Sequence, residues 1–153
     1  MFDLVIANGS LVHADRIETG SLGIRDGKIA AVVTDGEAIQ GRAAINAAGK
    51  WVLPGLVDAH VHLREPGNTH KEDFESATKA AAAGGVTTIM VMPTDNPWTA
   101  TAEEFERKRA LGEGRAHVDY AVQVAVGPST TSLDAIARLG PVSYELFLVG
   151  GKP

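Results

Sequence analysis

Cysteine is absent from the 153 residues, which excludes disulfides, a thiolate nucleophile and a thiolate metal site. Any metal must be held by imidazole and carboxylate. Long apolar runs are missing too. No stretch approaches the roughly 20 residues that cross a bilayer, and the start MFDLVIANG has no basic segment followed by a long apolar one. No membrane partner is expected, and a cytoplasmic location follows by default. Positive charge is also short. Fourteen Lys and Arg against nineteen Asp and Glu leave a net charge of −5 with no dense basic run, so nothing collects phosphates along a duplex and nucleic acid is excluded as a partner. What remains, 44% hydrophobic and 22% charged residues, has the balance of a folded globular chain.

The chain is patterned in two unequal parts that meet near Trp51. In the first, β-prone runs at 3–7, 10–12, 21–25 and 28–33 are separated by Asn8-Gly9, Asp26-Gly27 and Asp35-Gly36. Such pairs supply the positive φ of tight hairpins, which predicts a small antiparallel sheet. His13 reads as a hairpin or surface residue. From Trp51 onward apolar strands alternate with helices. A strand at 52–61, broken by Pro54-Gly55, leads to Thr69-His-Lys-Glu72, a capping-box pattern. A helix carrying Phe74, Ala77 and Ala81 on one face then runs to Gly84-Gly85. A strand follows at 86–92, then a second box, Thr101-Ala-Glu-Glu104, opening a helix with Phe105 and Leu111. A strand at 117–126, a short helix at 132–139 and a strand at 142–149 complete the run. This is a βαβ series, hence a parallel α/β sheet. No Gly-rich phosphate loop follows the first strand, which weakens a dinucleotide-binding arrangement. The alternative is part of an eight-stranded barrel, which takes about 250 residues in full; a fragment is expected.

The informative residues are Asp58-Ala-His-Val-His62. Positions i and i+2 of a strand share a face, so His60 and His62 present both imidazoles to one point, half of a tetrahedral zinc site. Two histidines at this spacing also occur on ordinary exposed strands. Their place at the C-terminal end of a strand, where barrel enzymes assemble their sites, favours the ligand role. Arg64 lies on the same side if the chain stays extended, as a fork for a substrate carboxylate or as an ion-pair partner of Glu65 or Glu72. His70, in the first turn of a helix, and His117, at a strand start, read as solvated or hydrogen-bonded.

The fourteen-residue block Pro54-Gly-Leu-Val-Asp-Ala-His-Val-His-Leu-Arg-Glu-Pro-Gly67 is followed by Lys71-Glu-Asp-Phe74 and Ala81-Ala-Ala-Gly-Gly-Val-Thr-Thr-Ile89. Together they resemble the opening of the cyclic amidohydrolases, the dihydroorotases, allantoinases and hydantoinases of the amidohydrolase superfamily. The resemblance implies an α/β fold: the N-terminal part of a (β/α)8 TIM barrel preceded by a small β-sandwich-type domain. Residues 1–51 would belong to the small domain and 52–153 to the first half of the barrel. It implies metal-dependent hydrolysis of a C–N bond in a cyclic amide or ureide, by hydroxide generated on one or two divalent ions, zinc foremost. His60 and His62 would be metal ligands and Arg64 the substrate-carboxylate arginine.

After Met92-Pro93 dihydroorotases place an asparagine; here Thr94 takes that position and Asn96 follows, giving Asn96 as a second substrate-binding residue or Thr94 to Asn96 as an ordinary turn before Pro97. In the fourth barrel strand, hydantoinases and allantoinases carry a lysine modified to a carbamate. Ser143-Tyr-Glu-Leu-Phe147 puts Glu145 there, an anionic oxygen ligand without modification, or else a structural carboxylate. Lys152 reaches the role only through a register shift. The family's catalytic aspartate, on the eighth strand, and two further histidines fall outside these residues. No catalytic residue is therefore assigned, and the chain alone is expected to be inactive. Expected partners are a small cyclic amide, the missing barrel half and further copies in a homo-oligomer, dimer or tetramer. The competing expectation is a non-catalytic scaffold related to dihydropyrimidinase; a stand-alone four-stranded binding domain would expose apolar strand edges.

Overall fold

In the computed structural model, which describes residues 1–34, 36–127 and 133–148, the chain divides into two compact units, Met1–Pro54 and Gly55–Pro153. The first is built around one long strand, β1 (Phe2–Val12). Strand β2 (Ile17–Arg25) pairs with it antiparallel and β3 (Lys28–Val33) pairs antiparallel with β2. Strands β4 (Gly41–Asn46) and β5 (Trp51–Val52) pair with β1 in parallel. The sheet is therefore mixed rather than antiparallel. Asp26 (φ 53°) and Gly27 (φ 71°) make the expected hairpin turn. Asn8-Gly9 does not. Asn8 has φ 61°, but the chain continues straight on, and the β1–β2 register shifts between Ile6 and Gly9. Positive φ here makes a bulge within one strand, a use of Asn-Gly that local sequence does not separate from a turn. Asp35 of the third turn signal lies outside the described residues. Val5, Leu11 and Ala47 form the buried side of the sheet. His13 closes the β1–β2 hairpin, its amide donating to the Arg16 carbonyl. Its Nε2 stands 2.9 Å from Glu18 Oε1, out of line for a hydrogen bond.

In the second unit β6 (Leu56–Val61), β7 (Val86–Val91) and β8 (Asp119–Val122) form a parallel sheet in chain order. The first of these strands starts at Leu56, not Val52, because Trp51 and Val52 are held by β1. Strand β9 (Val124–Val126) continues β8 after the single residue Gln123 and pairs in parallel with β10 (Tyr144–Leu146). The expected third strand thus changes neighbour at Gln123. Its start is Asp119, so His117 precedes it. Val149 and Ser132, expected ends of the fourth strand and third helix, lie outside the described residues, as do Gly150, Gly151 and Lys152.

Helix α1 (Phe74–Ala83) begins later than the Thr69 pattern suggests: Asp73 is the cap, its carboxylate accepting from the Ser76 amide at 2.8 Å while Ser76 Oγ accepts from the Asp73 amide. His70 therefore sits in the turn before the helix. Two polar residues three apart occurred twice here, and the one next to the apolar Phe74 prevailed, since only that start buries Phe74 and Ala77 on the sheet. Helix α2 (Ala102–Gly112) opens at Thr101 with the expected reciprocal box to Glu104. Helix α3 (Leu133–Ala137) is short. Leu63, Phe74, Ile89 and Val91 form one core cluster; Phe105, Val122, Val124 and Ile136 form another. At the two ends of the strand run Leu56, Val57, Tyr144, Leu146 and Leu148 are exposed. No helix among the described residues is long and apolar enough to cross a membrane.

Candidate metal and substrate site

The end of β6 and the loops after β6 and β7 bring together most of the residues the sequence singles out. His60 is exposed and His62, one residue past the strand, half-buried. Their rings lie 5.2 Å apart at 66°, as same-face positions of an extended chain require. His62 Nδ1 is 2.8 Å from Thr94 Oγ1, which leaves Nε2 as the nitrogen open to a ligand. Burial, reinforced by the positive charge of Arg64, holds His62 below its ordinary 6.5, so the ring is neutral at pH 7, the form that binds a metal.

The chain does not stay extended past His62. Leu63 is fully buried and Arg64 takes φ 64°, folding the loop so that the Asn68 amide donates to the Arg64 carbonyl at 2.9 Å. Arg64 is half-buried and pairs with neither Glu65 nor Glu72 among the described residues. Glu65 is committed elsewhere: Oε2 accepts from the Phe74 amide at 2.9 Å and Oε1 from Arg115 at 3.0 Å. Gly67 (φ 90°) lies so close to the next loop that a Cβ there would come within 2.1 Å of the Asn96 carbonyl oxygen. The Asn96 amide donates to the Pro66 carbonyl at 3.1 Å. Asn96 is thus brought beside the Arg64 loop and is exposed.

Under this loop lies a charged group that sequence reasoning missed. Lys108 of α2 donates to Asp95 and, at 2.5 Å, to the Met92 carbonyl. Thr99 Oγ1 donates to the same Asp95 oxygen at 3.1 Å. Burial pushes Asp95 up and Lys108 down, and each is opposed by the charge of the other. The signal was Lys108 at i+3 from Phe105 and i−4 from Gly112, on the buried face of α2.

Glu145 stands apart from the histidine pair. It is half-buried on β10, where Gln123 Nε2 donates to Glu145 Oε1 at 3.3 Å and to Ser143 Oγ at 2.8 Å. Gln123 Oε1 is buried with no partner. Among the described residues no three His, Asp or Glu side chains converge on one point. The chemistry of the donor set still fits a divalent cation in part: two convergent imidazoles, one neutral and oriented, and a carboxylate on a later strand of the same unit. Trp98 meets Phe147 edge-on at 4.7 Å, joining the loop after β7 to the end of β10.

This α/β unit, with paired histidines at the end of its first parallel strand, matches solved hydantoinases in fold. The L-hydantoinase (dihydropyrimidinase) of Arthrobacter aurescens superposes with a TM-score of 0.86 at 33% identity, over 94% of this chain and 32% of that one. A D-hydantoinase gives 0.79 at 33%, with the same coverage. Residues 49–143 match the dihydro-orotase-like family, and the chain belongs to it. It is 39% identical to a dihydroorotase of Methanothermobacter thermautotrophicus over 97% of its length, and 39% identical to an allantoinase of Rubrobacter xylanophilus over 96%. It spans about a third of each relative, 33% and 32% respectively.

Proposed function

We propose that this chain carries the metal-binding strand of an enzyme that hydrolyses a C–N bond in a cyclic amide or ureide. In this reading residues 1–51 contribute to a small β domain, and 52–153 form the first half of a metal-dependent (β/α)8 barrel. The in-order parallel pairing of β6, β7 and β8, and of β9 with β10, supports the barrel. His60 and His62 hold a divalent ion, zinc foremost, through neutral imidazole. Glu145 supplies an anionic oxygen from a later strand of the same unit, for one ion or a pair. When bound, such an ion supplies Lewis acidity toward the ring carbonyl and lowers the pKa of water.

The chain's own residues then do the rest of the binding. Arg64, without an ion pair among the described residues, offers a planar fork to a substrate carboxylate or ureide oxygen. Asn96, on the adjoining loop, offers amide donor and acceptor to the same ligand. The complete enzyme joins these groups with the rest of the barrel, in the cytoplasm and as a homo-oligomer.

The observation that carries this reading is the His60–His62 pair with Nδ1 of His62 already engaged. Its test is zinc retained after dialysis by the complete protein, measured by mass spectrometry of the metal. Wild type keeps zinc and His60→Ala/His62→Ala does not. Equal content in both would overturn the reading and favour a non-catalytic scaffold.

A further inference from the structure

The most deeply buried charges among the described residues of the second unit are used by no step above. The side chains of Lys108 and Asp95 are 0% and 3% exposed. A buried ion pair is poor support for stability as such, because apolar side chains of equal volume often serve as well or better. What this pair does uniquely is geometric. Lys108 Nζ holds the Met92 carbonyl and the Asp95 carboxylate, and Asp95 in turn receives Thr99 Oγ1. The Thr99 amide closes the loop onto the Pro93 carbonyl at 2.9 Å. One ammonium therefore holds the Met92 backbone carbonyl and the Asp95 side chain, on either side of Thr94. Thr94 Oγ1 is the atom that meets His62 Nδ1.

We infer that Lys108 is a positioning residue. Through Met92 and Asp95 it fixes Thr94 so that the hydroxyl accepts the His62 Nδ1 proton and the lone pair stays on Nε2. A neutral imidazole in water prefers its proton on Nε2, so the tautomer with Nε2 free must be imposed by a partner at Nδ1. The use of that lone pair for a metal rests on the function proposed above; the coupling from Lys108 to the ring does not.

The test is a long-range proton–nitrogen spectrum of the metal-free full chain at pH 7.5, with labelled histidine. Wild type shows His62 protonated at Nδ1. Thr94→Val moves the proton to Nε2. The double variant Asp95→Asn/Lys108→Met, which removes both charges and leaves none unpaired, does the same while keeping a cooperative melt. Lys108→Gln, a shorter neutral donor, serves as the second variant should the double variant not fold. Zinc affinity falls roughly 10–100-fold in each variant that loses the Nδ1 proton.

A folded Lys108 variant that keeps Nδ1–H overturns the inference, and so does a wild type protonated at Nε2. The two readings fail separately: a wild type with Nδ1–H that binds no zinc sinks the metal site and leaves the coupling standing, whereas zinc binding with Nε2–H in the metal-free chain does the reverse.

Discussion

Arg115 donates to Glu65 across fifty residues of sequence, at 3.0 Å, and the other oxygen of that carboxylate takes the Phe74 amide at 2.9 Å. The loop carrying Arg64 is thereby tied to the start of α1 and to the segment after α2. Arg115 also donates to the Leu111 carbonyl at 3.0 Å, which anchors the guanidinium before Glu65 meets it.

Removing the carboxylate strands a buried donor, whereas removing the arginine does not. Glu65→Met leaves the Phe74 amide without its partner and lowers stability by about 1–3 kcal/mol. Arg115→Met leaves Glu65 Oε1, on a side chain only 11% exposed, without its partner, but keeps the Phe74 amide bond and so costs less than Glu65→Met. Urea unfolding of the two variants reads the difference. Equal losses would show that the ion pair, not the amide bond, holds the loop.

Gly67→Ala meets two obstacles at once: a φ of 90° and a backbone oxygen 2.1 Å from the new Cβ. Because that oxygen belongs to Asn96 of the adjoining loop, the loops must part. We expect a loss of at least about 1–3 kcal/mol, with the Asn96 amide resonance displaced as its bond to Pro66 lengthens. A thermal melt and an amide spectrum together check this; an unchanged Asn96 resonance would mean the loops are not coupled.

Acid acts on α1 through its cap. Hydrogen bonds from Ser76 hold the Asp73 carboxyl below its ordinary 3.8. A depressed carboxylate contributes stability above 3.8 and loses it as pH falls through the folded value. Protection of the Ser76 amide, its exchange rate relative to the intrinsic rate at the same pH, should therefore be full at neutral pH and be lost below about pH 4. In Asp73→Ala that protection is missing at every pH, while the Phe74 amide, held by Glu65, keeps its own.

Gln123 separates stability from site chemistry. Its Oε1 is buried without a partner, a standing cost that Gln123→Leu removes while also removing the donor to Glu145 and Ser143. The expected stability change is within about 1 kcal/mol, since both ends of an imperfectly satisfied group are replaced by apolar surface. Glu145 is released nonetheless. If Glu145 is a metal ligand, zinc affinity changes in Gln123→Leu and falls further in Glu145→Ala; no change in either assigns Glu145 a structural role.

Much of this site was legible because it depends on local periodicity. His60 and His62 face one way for the reason that any i, i+2 pair on a strand does. The Thr101 box caps α2 because its partner is three residues away. Asn8-Gly9 and Thr69-x-x-Glu72 misled for the complementary reason. Each offers the right local chemistry, but distant residues chose otherwise: the register of β2 against β1 in one case, the burial of Phe74 in the other. Arg64 failed the simple alternation once the loop turned into positive φ to bring Leu63 into the core.

Residue order alone determined the alternation of strands and helices, the absence of any thiol chemistry and the placing of two imidazoles on one strand face, because each follows from side chains within a few positions of one another. Tertiary structure decided which donor each buried oxygen received. Thr94 reaches His62, Arg115 reaches Glu65 and Lys108 reaches under the loop to Asp95, since a desolvated polar group must be satisfied by whatever the fold brings within 3 Å or so, and that neighbour is rarely near in sequence.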